Sequence, residues 1–138
     1  MIINYIPEEL DMLARIMRAE ALSEGNLGML LVGNVVVNRA LANCFIFKDI
    51  RSISDAITQP NQFSGTNNSL YQAKATTAEK NLAKRILKGE FFHPATNALW
   101  FKARKKSCDK TWYNQPLAGD YKSHCFYNPD FNKCEKFH

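Results

Sequence analysis

The sequence has few of the features that mark fibrous, disordered, membrane-spanning or disulfide-rich chains. Its 138 residues include only 6 Gly, 5 Pro and 4 Cys, which excludes collagen-like, low-complexity and disulfide-scaffold classes. The longest apolar run, Leu27–Val37, is interrupted by Gly28, Gly33 and Asn34, and a membrane span needs ~20 apolar residues. The ordinary hydrophobic content of 46% argues against intrinsic disorder. We therefore expect one globular domain over residues 1–138.

Two further absences concern export and metal binding. The segment Met1–Glu9 has neither a basic region nor a small-residue cleavage site, so no secretory signal is predicted. No C-x-x-C pair occurs, so no metal site is predicted. Zinc ligation stays open as an alternative, with Cys108, His124, Cys125 and Cys134 as ligands. Nucleophilic catalysis by Cys125 with His124 is a second alternative, although neighbouring strand residues point to opposite faces. Structural thiols or disulfides are the favoured interpretation, and four cysteines allow three complete pairings among which the sequence does not choose.

The net charge of +5 is concentrated in one segment. Lys102–Lys110 contains five basic residues and one acidic residue, Asp109. Such a segment is either a solvated loop or a binding surface for a polyanion, such as an anionic wall polymer or an acidic partner protein. No motif of a nucleic-acid-binding fold accompanies it, so nucleic acid is not an expected partner.

Hydrophobic periodicity predicts a helical first half. Pro7 is suited to the first position of a helix, and the apolar stripe that follows ends at residues 23–25, where Gly25 is a stop signal. Asn26 can cap a second helix over about residues 27–42. That helix is apolar on most sides, with Asn34 and Asn38 as a narrow polar stripe, which is typical of a buried central helix.

The rest of the chain changes from helical to strand-like patterns. Ser52 and Thr76 have the spacing of capping residues for two further helices, the second ending at Gly89. Short aromatic runs at Ala98–Phe101 and His124–Tyr127 resemble strands. The predicted fold is a single α+β domain in which a helical front half packs on a small antiparallel sheet.

Glu20 is a candidate general acid. It lies about 70° from the centre of the apolar stripe of the first helix, at its shoulder, in the last turn, where the helix dipole disfavours negative charge. Burial and dipole should both raise its pKa, as a proton donor to a leaving oxygen requires. The alternative is a half-exposed glutamate in an ion pair. Glu24 is one helical turn further on and could supply a second carboxylate, but one glutamate alone can also act as acid and then base.

Two polar and aromatic clusters suit a carbohydrate. Residues 58–69 form an uncharged polar loop containing Gln59, Gln62 and Phe63, and Trp112–Pro116 combines two aromatic and two amide side chains. Sugars offer apolar faces to aromatic rings and hydroxyls to amides. An ordinary loop and a core-filling aromatic pair are the competing interpretation.

Five stretches, in this order, resemble the spore cortex-lytic cell-wall hydrolases of the SleB/CwlJ type. They are Met12–Ala21, Gly28–Arg39, Gln59–Phe63, Trp112–Pro116 and Lys122–Tyr127. The last two, with the missing signal peptide, look like the CwlJ branch. The resemblance implies a lysozyme- or transglycosylase-like fold and cleavage of peptidoglycan glycan strands in the spore cortex during germination. A non-catalytic coat or wall-binding protein of the same fold, or a zinc-stabilised interaction module, is the alternative.

The resemblance also implies roles for individual residues and for the setting. Glu20 is the implied catalytic residue. The resemblance implies a substrate groove formed by Gln62, Phe63, Trp112, Tyr113 and His124. The residues that it implies as supports of the site are Glu24, Asn34, Asn38 and Arg39. No resident cofactor is implied, but activation by calcium dipicolinate and a spore coat partner protein are. The implied location is the boundary of coat and cortex, reached after synthesis in the mother-cell cytoplasm.

Overall fold

The computed structural model describes residues 3–42, 44, 47–59 and 63–134. Five α-helices and two 3₁₀ turns precede a four-stranded sheet within these residues. The helices are α1 Pro7–Ala21, α2 Gly25–Leu41, α3 Ile53–Thr58, α4 Ser69–Gln72 and α5 Thr77–Leu87, and the 3₁₀ turns are Leu22–Glu24 and Ser64–Asn67. The strands are β1 Trp100–Ala103, β2 Thr111–Trp112, β3 Gln115–Tyr121 and β4 His124–Tyr127. The expected α+β architecture is confirmed.

Helices α1, α3 and α5 begin where the sequence predicts, whereas α4 begins in the segment predicted as a polar loop. Pro7 is the first residue of α1. The Ser52 hydroxyl accepts a hydrogen bond from the N–H of Asp55 at 3.0 Å, and Thr76 forms a reciprocal capping box with Glu79. Such bonds satisfy N–H groups that have no partner within the helix.

Helix α2 is the centre of the core. Val35 and Val36 are fully buried, and the helix packs against α1, α3 and α5. It begins at Gly25, earlier than the predicted start after Asn26. Gly25 has a φ of 79°, a conformation that glycine adopts without steric cost, so α2 follows the 3₁₀ turn without a longer loop.

The sheet is antiparallel with strand order β1-β4-β3-β2. Every residue of β4 is buried, and β4 occupies its predicted position. Strand β1 lies two residues later than the predicted run at Ala98–Phe101. Strand β3 is not predicted, because Pro116 and Gly119 are poor strand formers. Pro116 lies in the short pairing between β3 and the edge strand β2. Gly119 lies at a register shift in the pairing between β3 and β4, between Leu117 and Gly119.

The polar stripe of α2 connects the helical half to the sheet. The Asn34 amide donates to the carbonyl of Glu90 and accepts from the N–H of Phe92, both at 2.9 Å. The Asn38 amide donates to carbonyls of the segment 95–98, and Arg39 Nε donates to Leu99 O at 2.7 Å. These buried polar groups position the chain that leads into β1.

All four cysteines form disulfides, Cys44–Cys134 and Cys108–Cys125. Their sulfurs are therefore not available as zinc thiolates or as nucleophiles. The disulfides thus contradict the two alternatives of zinc ligation by cysteine and nucleophilic catalysis by Cys125. Within the described ranges, no group of three or more His, Cys, Asp or Glu side chains is arranged to hold a metal ion. None of the helices in that part of the chain has the length and apolar character of a membrane span.

Candidate active site

Glu20 lies in the last turn of α1 at the edge of a cleft of about 230 Å³. Its Oε1 accepts a hydrogen bond of 2.7 Å from the backbone N–H of Gly65. Within the described residues this is its only hydrogen bond. The side chain is half-buried, which agrees with its predicted place on the shoulder of the apolar stripe. The cleft is completed by neighbours on α1, the following 3₁₀ turn and α4, namely Arg18, Ala19, Leu22, Ser23 and Leu70.

Glycine at position 65 allows the backbone to approach this carboxylate. A Cβ added there would lie 2.5 Å from Glu20 Oε1 and 3.1 Å from the Cβ of Ala19. Both separations are shorter than ordinary van der Waals contact, so any larger residue must displace the carboxylate.

We expect Gly65→Ala to lower the rate of glycan cleavage by about 10- to 100-fold, because small displacements of a catalytic group have effects of that order. The melting temperature should fall slightly, since the carboxylate can move aside but the added methyl group also crowds the Cβ of Ala19. Fragment release by purified protein measures the rate. Asn67→Ala, at an exposed position in the same turn, is the control. Equal activity of the two variants would show that Gly65 does not position Glu20.

Two buried arginines hold the segments around the cleft. Arg18 donates to the carbonyls of Leu70 and Ala73 and to Glu79 Oε1 at 2.7 Å, which fixes the wall that contains Leu70. Arg39 lies over the ring of Phe63, 4.7 Å from its centroid. Burial lowers the pKa of Arg39 to about 10.

Phe63 is placed differently from the sequence prediction. A ring in the substrate groove would be open to solvent, whereas Phe63 is only 5% exposed. It packs against Arg39 and the ring of Phe101, where it anchors the segment that carries Gly65. Gln62, the neighbouring candidate, lies outside the described residues.

Glu24 connects the start of α2 to the β3–β4 turn. Its Oε2 accepts hydrogen bonds from the N–H and the hydroxyl of Ser123, at 2.8 and 2.6 Å, and its Oε1 contacts Nδ1 of His124. Burial alone would raise the pKa of Glu24, but the hydrogen bonds from Ser123 and His124 outweigh it and lower this pKa. Glu24 is therefore an ionised structural anchor with both oxygens occupied.

The lowered pKa of Glu24 predicts a loss of stability in acid. Because its folded pKa lies below its ordinary value of 4.5, the ionised form stabilises the fold above that pH, and this contribution disappears as pH falls through the folded pKa. Denaturation at a series of pH values should show a smaller decrease in acid for Glu24→Gln than for the wild type. Glu8→Gln, at an exposed position on α1, should retain the wild-type slope. A wild-type slope in Glu24→Gln would contradict the assignment.

The remaining candidates do not share the Glu20 cleft. His124 is 9% exposed, and its ring packs edge-on against Phe101 at 5.3 Å, so its described contacts lie within the protein. Trp112 and Tyr113 lie at the β2–β3 hairpin, with ring centroids 5.5 Å apart. Trp112 also contacts Tyr127, at the end of β4 opposite to His124.

The basic segment is partly neutralised. Lys102 forms an ion pair with Asp109 at 2.8 Å, and Arg104 pairs with Asp120. Three lysines, at positions 105, 106 and 110, have exposed side chains. The Cys108–Cys125 disulfide ties this segment to β4.

Comparison with known proteins identifies relatives along nearly the whole chain. The Cell Wall Hydrolase family matches residues 23–127. The protein called cell wall hydrolase CwlJ is 42% identical over 134 residues in both Bacillus subtilis and Oceanobacillus iheyensis. The alignment with the Bacillus subtilis protein covers 97% of this chain and 94% of that protein. The alignment with the Oceanobacillus iheyensis protein covers 96% of this chain and 95% of that protein.

The fold has counterparts among solved structures. The catalytic domain of SleB from Bacillus cereus superposes with a TM-score of 0.73 at 18% identity, covering 91% of this chain and 93% of that one. The catalytic domain of the germination-specific lytic transglycosylase SleB from Bacillus anthracis gives 0.72 at 21% identity, covering 91% and 98%. From the family match and the near-complete alignment with CwlJ, we conclude that this chain belongs to the cell wall hydrolase family.

Proposed function

We propose that this cell wall hydrolase cleaves the glycan strands of spore cortex peptidoglycan, with Glu20 as the single general acid and base. The observation that carries the proposal is the half-buried Glu20 carboxylate in an open cleft, held by one backbone N–H. Leu22 and Leu70 are 47% and 36% exposed and offer an apolar surface beside it. A carboxylate next to such a surface suits a sugar ring that presents one apolar face.

In the first step, protonated Glu20 donates its proton to the glycosidic oxygen while the bond from that oxygen to the anomeric carbon breaks. In the second step, the Glu20 carboxylate takes a proton from the attacking group. Attack by water gives hydrolysis, and attack by the 6-hydroxyl of the muramic residue gives an anhydro sugar. The name of the Bacillus anthracis relative, a lytic transglycosylase, favours the second outcome for this chain.

The contacts of Glu24 support a mechanism with one carboxylate. A two-carboxylate glycosidase needs its second group free to act as nucleophile or base. Both oxygens of Glu24 already accept hydrogen bonds or contact His124, and the side chain is 5% exposed. We therefore assign Glu24 a positioning role at the junction between α2 and the sheet.

Mass spectrometry of the products tests this function. Purified protein is incubated with isolated cortex fragments, and the soluble products are compared with those from a sample without enzyme. Anhydro products, one water lighter than hydrolysis products, identify a transglycosylase. Binding to the fragments without release of soluble products would overturn the catalytic function and support a wall-binding protein.

The setting of the activity is also a proposal, and it comes from the resemblance to CwlJ. We propose that the protein acts at the boundary of coat and cortex, together with a coat partner protein, and that calcium dipicolinate activates it. Fragment release by the purified protein, with and without calcium dipicolinate, separates direct activation from activation through a partner. No step of the mechanism depends on this effector.

A further inference from the structure

A second cavity, of about 590 Å³, lies between the β2–β3 hairpin and the turn after β4. It shares no lining residue with the Glu20 cleft. Its aromatic and polar lining consists of Trp100, Tyr113, Asn114, Gln115, Asp130 and Lys133. Pro129 and the Cys44–Cys134 disulfide complete the lining with apolar surface.

This cavity is at the end of β4 away from Glu24. His124 begins β4 and contacts Glu24, whereas Tyr127 ends it and pairs with Trp100, which lines the cavity. Three residue steps along a strand correspond to about 10 Å. Because no lining residue is common to both, this cavity and the cleft around Glu20 are distinct depressions.

The turn that presents Tyr113 is unusual for its residue type. Trp112 pairs with Gln115, and the two residues between them, Tyr113 and Asn114, have φ values of 50° and 67°. A two-residue hairpin turn with both φ values positive favours Asn and Gly, and a bulky residue there is strained. Tyr113 is also 80% exposed, so packing in the core does not offset this strain. Strain retained without a folding benefit indicates a functional role.

The chemistry of the lining matches a carbohydrate. The exposed Tyr113 ring can stack on the apolar face of a sugar, and it is backed by Trp112, whose ring centroid lies 5.5 Å away. The amides of Asn114 and Gln115 offer both donors and acceptors to hydroxyl and acetamido groups. Asp130 and Lys133 add one acceptor and one donor of opposite charge, so the site has no strong preference for an ionic ligand.

We propose that this cavity is a second glycan-binding site, which takes an N-acetylated sugar residue of the strand remote from the bond that Glu20 cleaves. The identity of the ligand rests on the proposed function, but the site does not depend on Glu20 chemistry. Its role is to hold the polymer on the protein.

Tryptophan fluorescence reports on this site directly, because the chain has only two tryptophans. Trp100 lines the cavity, and Trp112 contacts Tyr113. We expect titration with tri-N-acetylchitotriose to give a saturable change in emission. Tyr113→Ala should weaken this binding about tenfold, as truncation of a dominant binding side chain does, and Tyr113→Phe should restore it. Tyr5→Ala, which removes an exposed ring that does not line the cavity, and Glu20→Gln should bind as the wild type does.

The outcomes separate this inference from the proposed function. A flat titration, or one that Tyr113→Ala leaves unchanged, overturns the second site even if cortex fragments are released. Loss of the fluorescence change in Glu20→Gln would place the sugar in the cleft and also overturn it. A titration that depends on Tyr113 supports the site even if the protein releases no fragments, in which case the proposed function fails alone. Melting temperatures of all variants show whether a loss of binding reflects unfolding.

Discussion

Glu20→Gln should lower the release of glycan fragments from cortex at least about 100-fold, since removal of a general acid has effects of this size. Glutamine has nearly the same shape as glutamate but cannot donate a proton to a leaving oxygen or accept one from the attacking group. Both chemical steps assigned to Glu20 are therefore lost together. The rate of appearance of soluble products, followed by chromatography and mass spectrometry, measures the change.

The local structure should survive this substitution. The side-chain carbonyl of glutamine can still accept the hydrogen bond that Gly65 donates to Glu20 Oε1 at 2.7 Å. We expect the variant to melt within about 2 °C of the wild type, because surface changes without lost packing are usually small. Binding to insoluble cortex should be retained.

A matched substitution on the same helix controls for charge removal. Glu8 lies in the first turn of α1 and is exposed, so Glu8→Gln removes one negative charge far from the cleft. It should retain full activity. Comparable activity of Glu20→Gln and Glu8→Gln would eliminate the single-glutamate mechanism, whatever the family membership of the chain.

Removing the Cys44–Cys134 disulfide should lower the free energy of unfolding by about 4.6 kcal/mol, because cross-links that close long loops constrain the unfolded chain most. The two cysteines are 90 residues apart in sequence, whereas Cys108 and Cys125 are 17 apart. The shorter loop should contribute about 3 kcal/mol in the same entropic treatment. A typical domain has only about 5–15 kcal/mol in total, so either loss is severe.

Denaturant unfolding of two double variants measures these contributions. Cys44→Ala with Cys134→Ala should unfold at a lower denaturant concentration than Cys108→Ala with Cys125→Ala. Wild-type protein in a strong reductant should lose stability as well, since reduction opens both loops. Equal midpoints for the wild type and the first double variant would show that the long loop contributes no net stability.

Local sequence patterns were sufficient to predict α1, α2, α3 and α5, but not α4 or the strands β2 and β3. Pro7, Ser52 and Thr76 act at the helix starts through contacts within a few residues, so their effect can be read directly. Strand β3 contains Pro116 and Gly119 and is held by pairing with β4. That pairing is a tertiary interaction that overrides weak strand propensity.

The same distinction applies to the site. The helical position of Glu20 places it at a half-buried edge, and the sequence motif suggests its role. Gly65 lies 45 residues from Glu20, and Ser123 lies 99 residues from Glu24, so no local pattern reveals these contacts. A glycine followed by polar residues in an uncharged loop was the only available signal for Gly65. The burial of Phe63 was not predictable either, since an aromatic residue in a polar loop can face inward or outward.

The Cys44–Cys134 disulfide also determines what a protease can release from this protein. The bond closes a covalent ring that contains α3 to α5 and the whole sheet, whereas α1 and α2 lie on an open arm before Cys44. A single backbone cut inside the ring leaves both pieces joined, and they would migrate together on a non-reducing gel. A single cut between Glu20 and Cys44 instead separates the helix that carries the proposed acid from the rest of the chain. A single cut between Glu20 and Cys44 should therefore inactivate the protein more readily than a single cut between Cys44 and Cys134.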